Sequence, residues 1–94
     1  MRFKAGTTDI PTAGTRVQLS NTRDKVKQLT VAERPANTGN VFFGDSLVSS
    51  TNGLTLQAGD SKHLDFGEGS VLFSDFYVDT ATNGNDLDWL GVLE

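Results

Sequence analysis

Apolar residues in this chain come in short runs that alternate with polar ones, and no window carries an apolar i, i+3, i+4, i+7 stripe between a cap and a closing glycine. Runs rich in Val, Leu, Phe and Thr recur about every eight to twelve residues, separated by Gly, Asn, Asp and Ser, which is the spacing of an all-β sandwich or barrel. The first strand is expected over residues 15–20, with Val17 and Leu19 on one face. A second is expected over 25–33, where Val26 is out of step with Leu29 and Val31. A bulge near Lys27-Gln28 restores the inward register, and Pro35 ends the strand by removing an amide donor. Further strands are expected at 41–43, 47–48, 54–56, 61–66, 71–78 with a break near Ser74-Asp75, and 87–93. Asn37-Thr38-Gly39-Asn40, Asn52-Gly53, Gln57-Ala58-Gly59-Asp60, Gly67-Glu68-Gly69 and Thr82-Asn83-Gly84-Asn85 supply the turns. The pattern predicts one compact antiparallel β-sandwich of about eight short strands over residues 15–94, jelly-roll-like in build. Residues 1–14 lack periodicity and read as an extended arm or edge segment.

The last strand departs from simple alternation. In Leu87-Asp88-Trp89-Leu90-Gly91-Val92-Leu93 the apolar residues become consecutive after Asp88, so both faces carry large apolar side chains. A strand in an isolated two-layer sandwich should be polar on one face, so something is expected to cover this one: the chain's own arm or a neighbouring subunit. With 94 residues and no cysteine, the core is modest and no disulfide or thiolate site supplements it. Both facts favour a homo-oligomer, expected as a trimer, with Arg2, Phe3, Lys4, Trp89, Leu90 and Val92 as the candidate interface residues.

Charge refines this picture. The net charge of -4 argues against wholesale nucleic-acid binding, which needs a basic face to displace counterions. The distribution is uneven: residues 1–34 hold seven of the eight basic residues against three acidic ones, and residues 35–94 hold Lys62 against nine. Either strands from the two parts interleave and neutralise one another, or the basic arm docks on an acidic surface. No apolar run resembles a signal peptide or approaches the roughly 18 residues of a membrane span, so synthesis in a cytoplasm without membrane insertion is the expectation.

Candidate chemistry changes little. Phe43-Gly44-Asp45-Ser46-Leu47 spells the opening block of the GDSL hydrolases, and Asp60-Ser61-Lys62-His63 and Gly84-Asn85-Asp86 echo two other blocks. That nucleophile needs a strand end inside a helix-packed α/β frame. This chain has no helical pattern, its only histidine follows Ser46 too closely, and the Gly-Asn-Asp comes after the histidine instead of before it. Gly44-Asp45 is therefore read as a turn, His63 as a solvent-facing strand residue, and no catalytic residue is assigned. Asp79, Asn83, Asp86 and Asp88 raise an irregular calcium site, but EF-hand spacing fails because Leu90 stands where the closing glutamate belongs. No metal or cofactor is expected. Tyr77 and Trp89 could stack on a sugar ring if both were exposed on one face, which keeps a carbohydrate-binding or adhesive module as the alternative.

Residues 31–61, "VAERPANTGNVFFGDSLVSSTNGLTLQAGDS", followed by 76–94, "FYVDTATNGNDLDWLGVLE", resemble a recurrent pattern in small structural proteins of tailed-bacteriophage virions. A strand ends in Ala-x-x-x-x-Asn-Thr-Gly, an Asn-Gly-Leu turn leads to Leu-x-x-Gly-Asp-Ser, and a terminal Asp-x-x-x-Asn-Gly-x-x-Leu-x-Trp strand closes the domain. The resemblance implies a β-sandwich of the virion, of the capsid decoration, cement or head-fibre type. It also implies attachment to a major capsid or other virion protein, with synthesis in a host bacterial cytoplasm and no catalytic residues.

Overall fold

In the computed structural model, which describes residues 2–67 and 71–93, the alternation resolves into nine strands and a single 3-10 turn at Phe73–Asp75. The strands are β1 (Arg2–Ile10), β2 (Val17–Gln18), β3 (Lys25–Glu33), β4 (Val41–Gly44), β5 (Leu54–Leu56), β6 (Ser61–Asp65), β7 (Val71–Leu72), β8 (Tyr77–Thr80) and β9 (Asn85–Leu93). They form two antiparallel sheets, ordered β1-β9-β3-β6 with β7 attached to β3, and β2-β8-β4-β5. With the two-residue β7 set aside, the remaining strands counted in chain order fall as 1-8-3-6 against 2-7-4-5. That is the order produced when a long hairpin rolls up on itself, so the sandwich is a jelly roll.

β3 illustrates how sequence becomes packing. Val26, Leu29, Val31 and Glu33 are buried, and the pairing with β9 slips between Val26 and Gln28, which is the bulge that the offset apolar residues require. Its inward residues meet Val41, Val78, Leu87 and Phe73 in one core between the sheets. Each such side chain contributes about 1.5–3 kcal/mol by leaving water.

Some expected elements come out differently. Residues 47–48 do not form a strand: after Gly44 the chain turns on Asp45, whose carboxylate accepts the Leu47 amide at 2.9 Å and whose carbonyl accepts the Val48 amide at 3.0 Å. Only a bridge between Ser49 and Asn52 follows before β5. The strand expected over 15–20 keeps two residues, with the Leu19 amide bonded to the Phe76 carbonyl at 2.8 Å. The break near Ser74-Asp75 is a 3-10 turn, in which the Asp75 carboxylate accepts the Leu72 amide at 3.0 Å. Past Gly67, the expected turn at Gly67-Glu68-Gly69 lies outside the described residues.

The expected arm needs the largest revision. Arg2–Ile10 does not stand apart from the sandwich but pairs along its whole length with β9, from Arg2 opposite Leu93 to Ile10 opposite Asn85. Ile10 belongs to the common core, so packing continues across the boundary expected at residue 14. The segment lacks a visible period because its inward positions include Gly6 and Thr8, which are small enough to lie beneath Trp89. A Cβ on Gly6 would come within 2.6 Å of the indole, and Trp89 Nε1 donates to Thr8 Oγ1 at 3.0 Å.

Candidate functional site

β9 fixes the geometry of the outer face of the larger sheet. Its odd-numbered residues Asn85, Leu87, Trp89, Gly91 and Leu93 are buried, and the even-numbered ones between them face out. Trp89 is only 8% exposed and packs on Phe73 with ring centroids 5.0 Å apart, whereas its neighbour Leu90 is 45% exposed. Both faces of this strand are thus apolar, as its sequence indicates. β1 lies beside β9 within the sheet and not over it, so the arm does not cover Leu90.

Register brings the outer apolar residues together. Phe3 stands opposite Val92 and Ala5 opposite Leu90 across the β1–β9 pair, and opposed residues of an antiparallel pair share a face. Phe3 is 61% exposed and Val92 half-buried, so an apolar band crosses two strands next to the free edge of β1. Around it the face is polar. Thr30 lies opposite Leu90 on β3, and its hydroxyl contacts His63 Nδ1 at 2.9 Å. Toward the other end, Arg34 reaches Asp88 through Nε at 3.1 and 3.2 Å, Asp86 through Nη1 at 3.4 Å and Thr7 Oγ1 through Nη2 at 3.2 Å. The hydrogen bond from Arg34, followed by that from Thr7, holds the Asp88 carboxyl below its ordinary range. These groups are half-exposed, so the fork orients side chains more than it stabilises the fold.

Of the six expected interface residues, Phe3, Leu90 and Val92 lie together on this face. Arg2 and Lys4 sit at the same end of β1 as Phe3, with Lys4 Nζ bonded to Asp24 at 3.1 Å. Trp89 is corrected: it belongs to the core, because the strand's alternation turns it inward. With Trp89 buried and Tyr77 on the other sheet, the shared aromatic face that sugar stacking requires is not formed.

The remaining constellations resolve into structural roles. Ser46 lies in the turn after β4 of the smaller sheet, whereas His63 faces outward from β6 of the larger one. The structure does not bring them together. Asp79 accepts the Gly14 amide at 3.0 Å and Asn83 the Ala13 amide at 2.7 Å, while Asp86 and Asp88 face Arg34. These oxygens hold loops and strands, and no three potential metal ligands converge among the described residues. No helix among the described residues is long and apolar enough to cross a membrane.

Sequence reasoning missed two features. Asn85 and Asn37 are read as turn residues, yet each clasps the other's neighbour. Asn85 Nδ2 donates to the Thr38 carbonyl at 2.6 Å while its Oδ1 accepts the Thr38 amide at 3.0 Å, and Asn37 bonds the carbonyl and amide of Asp86 at 2.7 and 3.2 Å. Glu33 is 1% exposed, and neither carboxylate oxygen has a hydrogen-bond partner. Burial pushes its carboxyl up from the ordinary value; the nearby Asn37 amide and Val41 backbone pull it part of the way back, and Asp60 adds to the rise. An open apolar depression of about 480 Å³ is walled by Phe43, Leu54, Val71 and Phe76, with Asp45 and Asp75 as its charged members. Comparison with known protein families and with curated proteins gave no match.

Proposed function

We propose that this chain is a non-enzymatic structural component of a virion, a capsid decoration or stabilisation protein that attaches to a shell protein through the outer face of the β1-β9-β3-β6 sheet. The observation that carries the reading is the exposed pair Phe3 and Leu90, joined by Ala5 and Val92 into an apolar band on an otherwise polar sheet. An exposed band of this kind favours a partner surface, and its two largest members come from the two terminal strands. The turn motifs that resemble phage structural proteins support the same reading, since Asn37, Asn52-Gly53 and Gly84 lie in the loops that shape the sandwich. Jelly rolls serve in virus shells and in lectins alike, so the fold is compatible with this function without selecting it. Many copies, each making a modest contact, would add up to a firm hold on a repeating shell. The direct test is mass spectrometry of purified particles from a producing culture. The chain should be recovered in many copies per particle, and its absence from particles while abundant in the lysate would refute the reading.

A further inference from the structure

We propose that the apolar depression beside Asp45 and Asp75 binds a small organic ammonium ion, an apolar body that carries a protonated amine. β4 and β8 pair antiparallel as far as Gly44 opposite Tyr77, so the residues just beyond, Asp45 on one side and Asp75-Phe76 on the other, emerge at the same end of the smaller sheet. Phe43 and Leu54 stand opposite each other on β4 and β5 and share a face. Val71 comes from β7 of the larger sheet, so the depression lies between the two sheets. Phe76 stacks on Phe43 with ring centroids 5.3 Å apart and meets Phe66 at 5.5 Å, which makes the wall aromatic and fixes it. Leu54 remains 38% exposed. The volume of about 480 Å³ falls within the roughly 300–1,000 Å³ of small-ligand sites.

Charge names the class of ligand. No lysine or arginine lines the depression, and neither Asp45 nor Asp75 pairs with a cation among the described residues. Each carboxylate is oriented by one backbone amide: Leu47 donates to Asp45 Oδ1 at 2.9 Å and Leu72 to Asp75 Oδ2 at 3.0 Å. Holding those turns takes a single acceptor oxygen, which asparagine supplies equally, so the negative charge is surplus to that role. Two oriented carboxylates beside an apolar wall repel an anionic ligand and favour a cation over a neutral molecule of the same shape. The rings of Phe43 and Phe76 act in the same direction through cation–π attraction.

The lining also excludes the simplest alternative cation. A metal ion such as calcium takes about six to eight oxygen ligands, whereas no third acidic or histidine side chain joins Asp45 and Asp75 among the described residues. An organic cation needs no such shell, because its apolar body is held by Phe43, Leu54, Val71 and Phe76 and its amine by the carboxylates. Both carboxylates are exposed to solvent, so each attraction is modest and the pair sets selectivity more than affinity.

The site shares no residue with the Phe3–Leu90 band, so it stands or falls separately from attachment to a shell, and it is tested on the purified chain alone. The isotope-labelled protein is titrated at neutral pH with phenylbutylamine, and with phenylbutanol and phenylbutyrate as its neutral and anionic counterparts, while amide shifts are followed by NMR. The amine should give saturable shifts confined to residues 43–45, 53–54, 71–72 and 75–76, and should bind roughly fivefold tighter than the alcohol. The acid should not bind. Asp45→Asn and Asp75→Asn keep the oxygens that hold the turns; each should weaken the amine about two- to fivefold without changing the alcohol, and together they should erase the preference. Leu54→Lys, at an exposed position on an edge strand, places a cation at the site and should likewise remove the preference, which keeps the test decisive if an aspartate variant fails to fold. No saturable shift, shifts elsewhere, equal affinity for amine and alcohol, or a folded double variant with native amine affinity would each overturn the proposal. Shifts at the same residues on concentrating the ligand-free chain would overturn it too, by assigning the depression to a second copy.

Discussion

Glu33 shows how one residue can hold a conditional stability. Its inward position on β3 follows from the same alternation that buries Leu29 and Val31, yet it brings a carboxyl into the core with no hydrogen-bond partner. Because burial raises its pKa in the folded state, the native protein binds the proton more tightly than the unfolded chain. Its protonated form is accommodated at low pH, and stability is lost as pH rises from the unfolded value of about 4.3 through the raised folded value. Glu33→Gln should therefore stabilise the fold at neutral pH by about 1–3 kcal/mol, with the gain vanishing below about pH 4 in denaturation curves. Gly6 and Gly91 act by absence: a Cβ on the first meets Trp89, and one on the second meets the Phe73 ring, so the two glycines make room for the Trp89–Phe73 pair. Alanine at either site should cost about 1–3 kcal/mol and shift the Trp89 emission, read by thermal melts and fluorescence. None of this was legible from the residues alone, because Glu33 looks like an ordinary strand-end charge, and the needed glycines look like weak strand formers until their neighbours across the sandwich are known.

At the scale of elements, the legible features were those written locally. The offset of Val26 from Leu29 gives the bulge, and the consecutive Trp89-Leu90 gives a strand apolar on both faces; the structure contains both. β1 was not legible as an integral strand because its period belongs to its partner: Gly6 and Thr8 are chosen by Trp89, and only Ile10 carries a large apolar side chain into the core. The consequence reverses the simplest expectation for an arm. Deleting residues 2–10 should lower thermal stability markedly by removing an entire strand from β9. Ile10→Ala alone should cost about 2–4 kcal/mol in chemical denaturation. Melting unchanged by the deletion would show that β1 is an appendage.

For the whole molecule, the uneven distribution of charge along the chain becomes a spatial pattern. Acidic β9 lies between β1 and β3, and Arg34 from the basic third of the sequence reaches Asp86 and Asp88 from the acidic remainder. Interleaving accounts for that neutralisation, while Asp9 is left with no cation near it among the described residues. The jelly-roll order was legible as a class from strand count and turn spacing; the outer face was legible only in part. Phe3, Leu90 and Val92 could be named in advance, but that β1 and β9 set them side by side depends on a pairing between the first and last strands that no local pattern records. The central claim is that this band is the attachment surface. It is tested most directly by cosedimentation of the purified chain with phage particles lacking it, comparing the native sequence with Leu90→Asp and with Phe3→Ser plus Leu90→Asp. The native chain should saturate the particles, whereas the variants, folded by circular dichroism, should lose most of their binding. Equal binding by all three would contradict the account and move attachment to another surface of the sandwich.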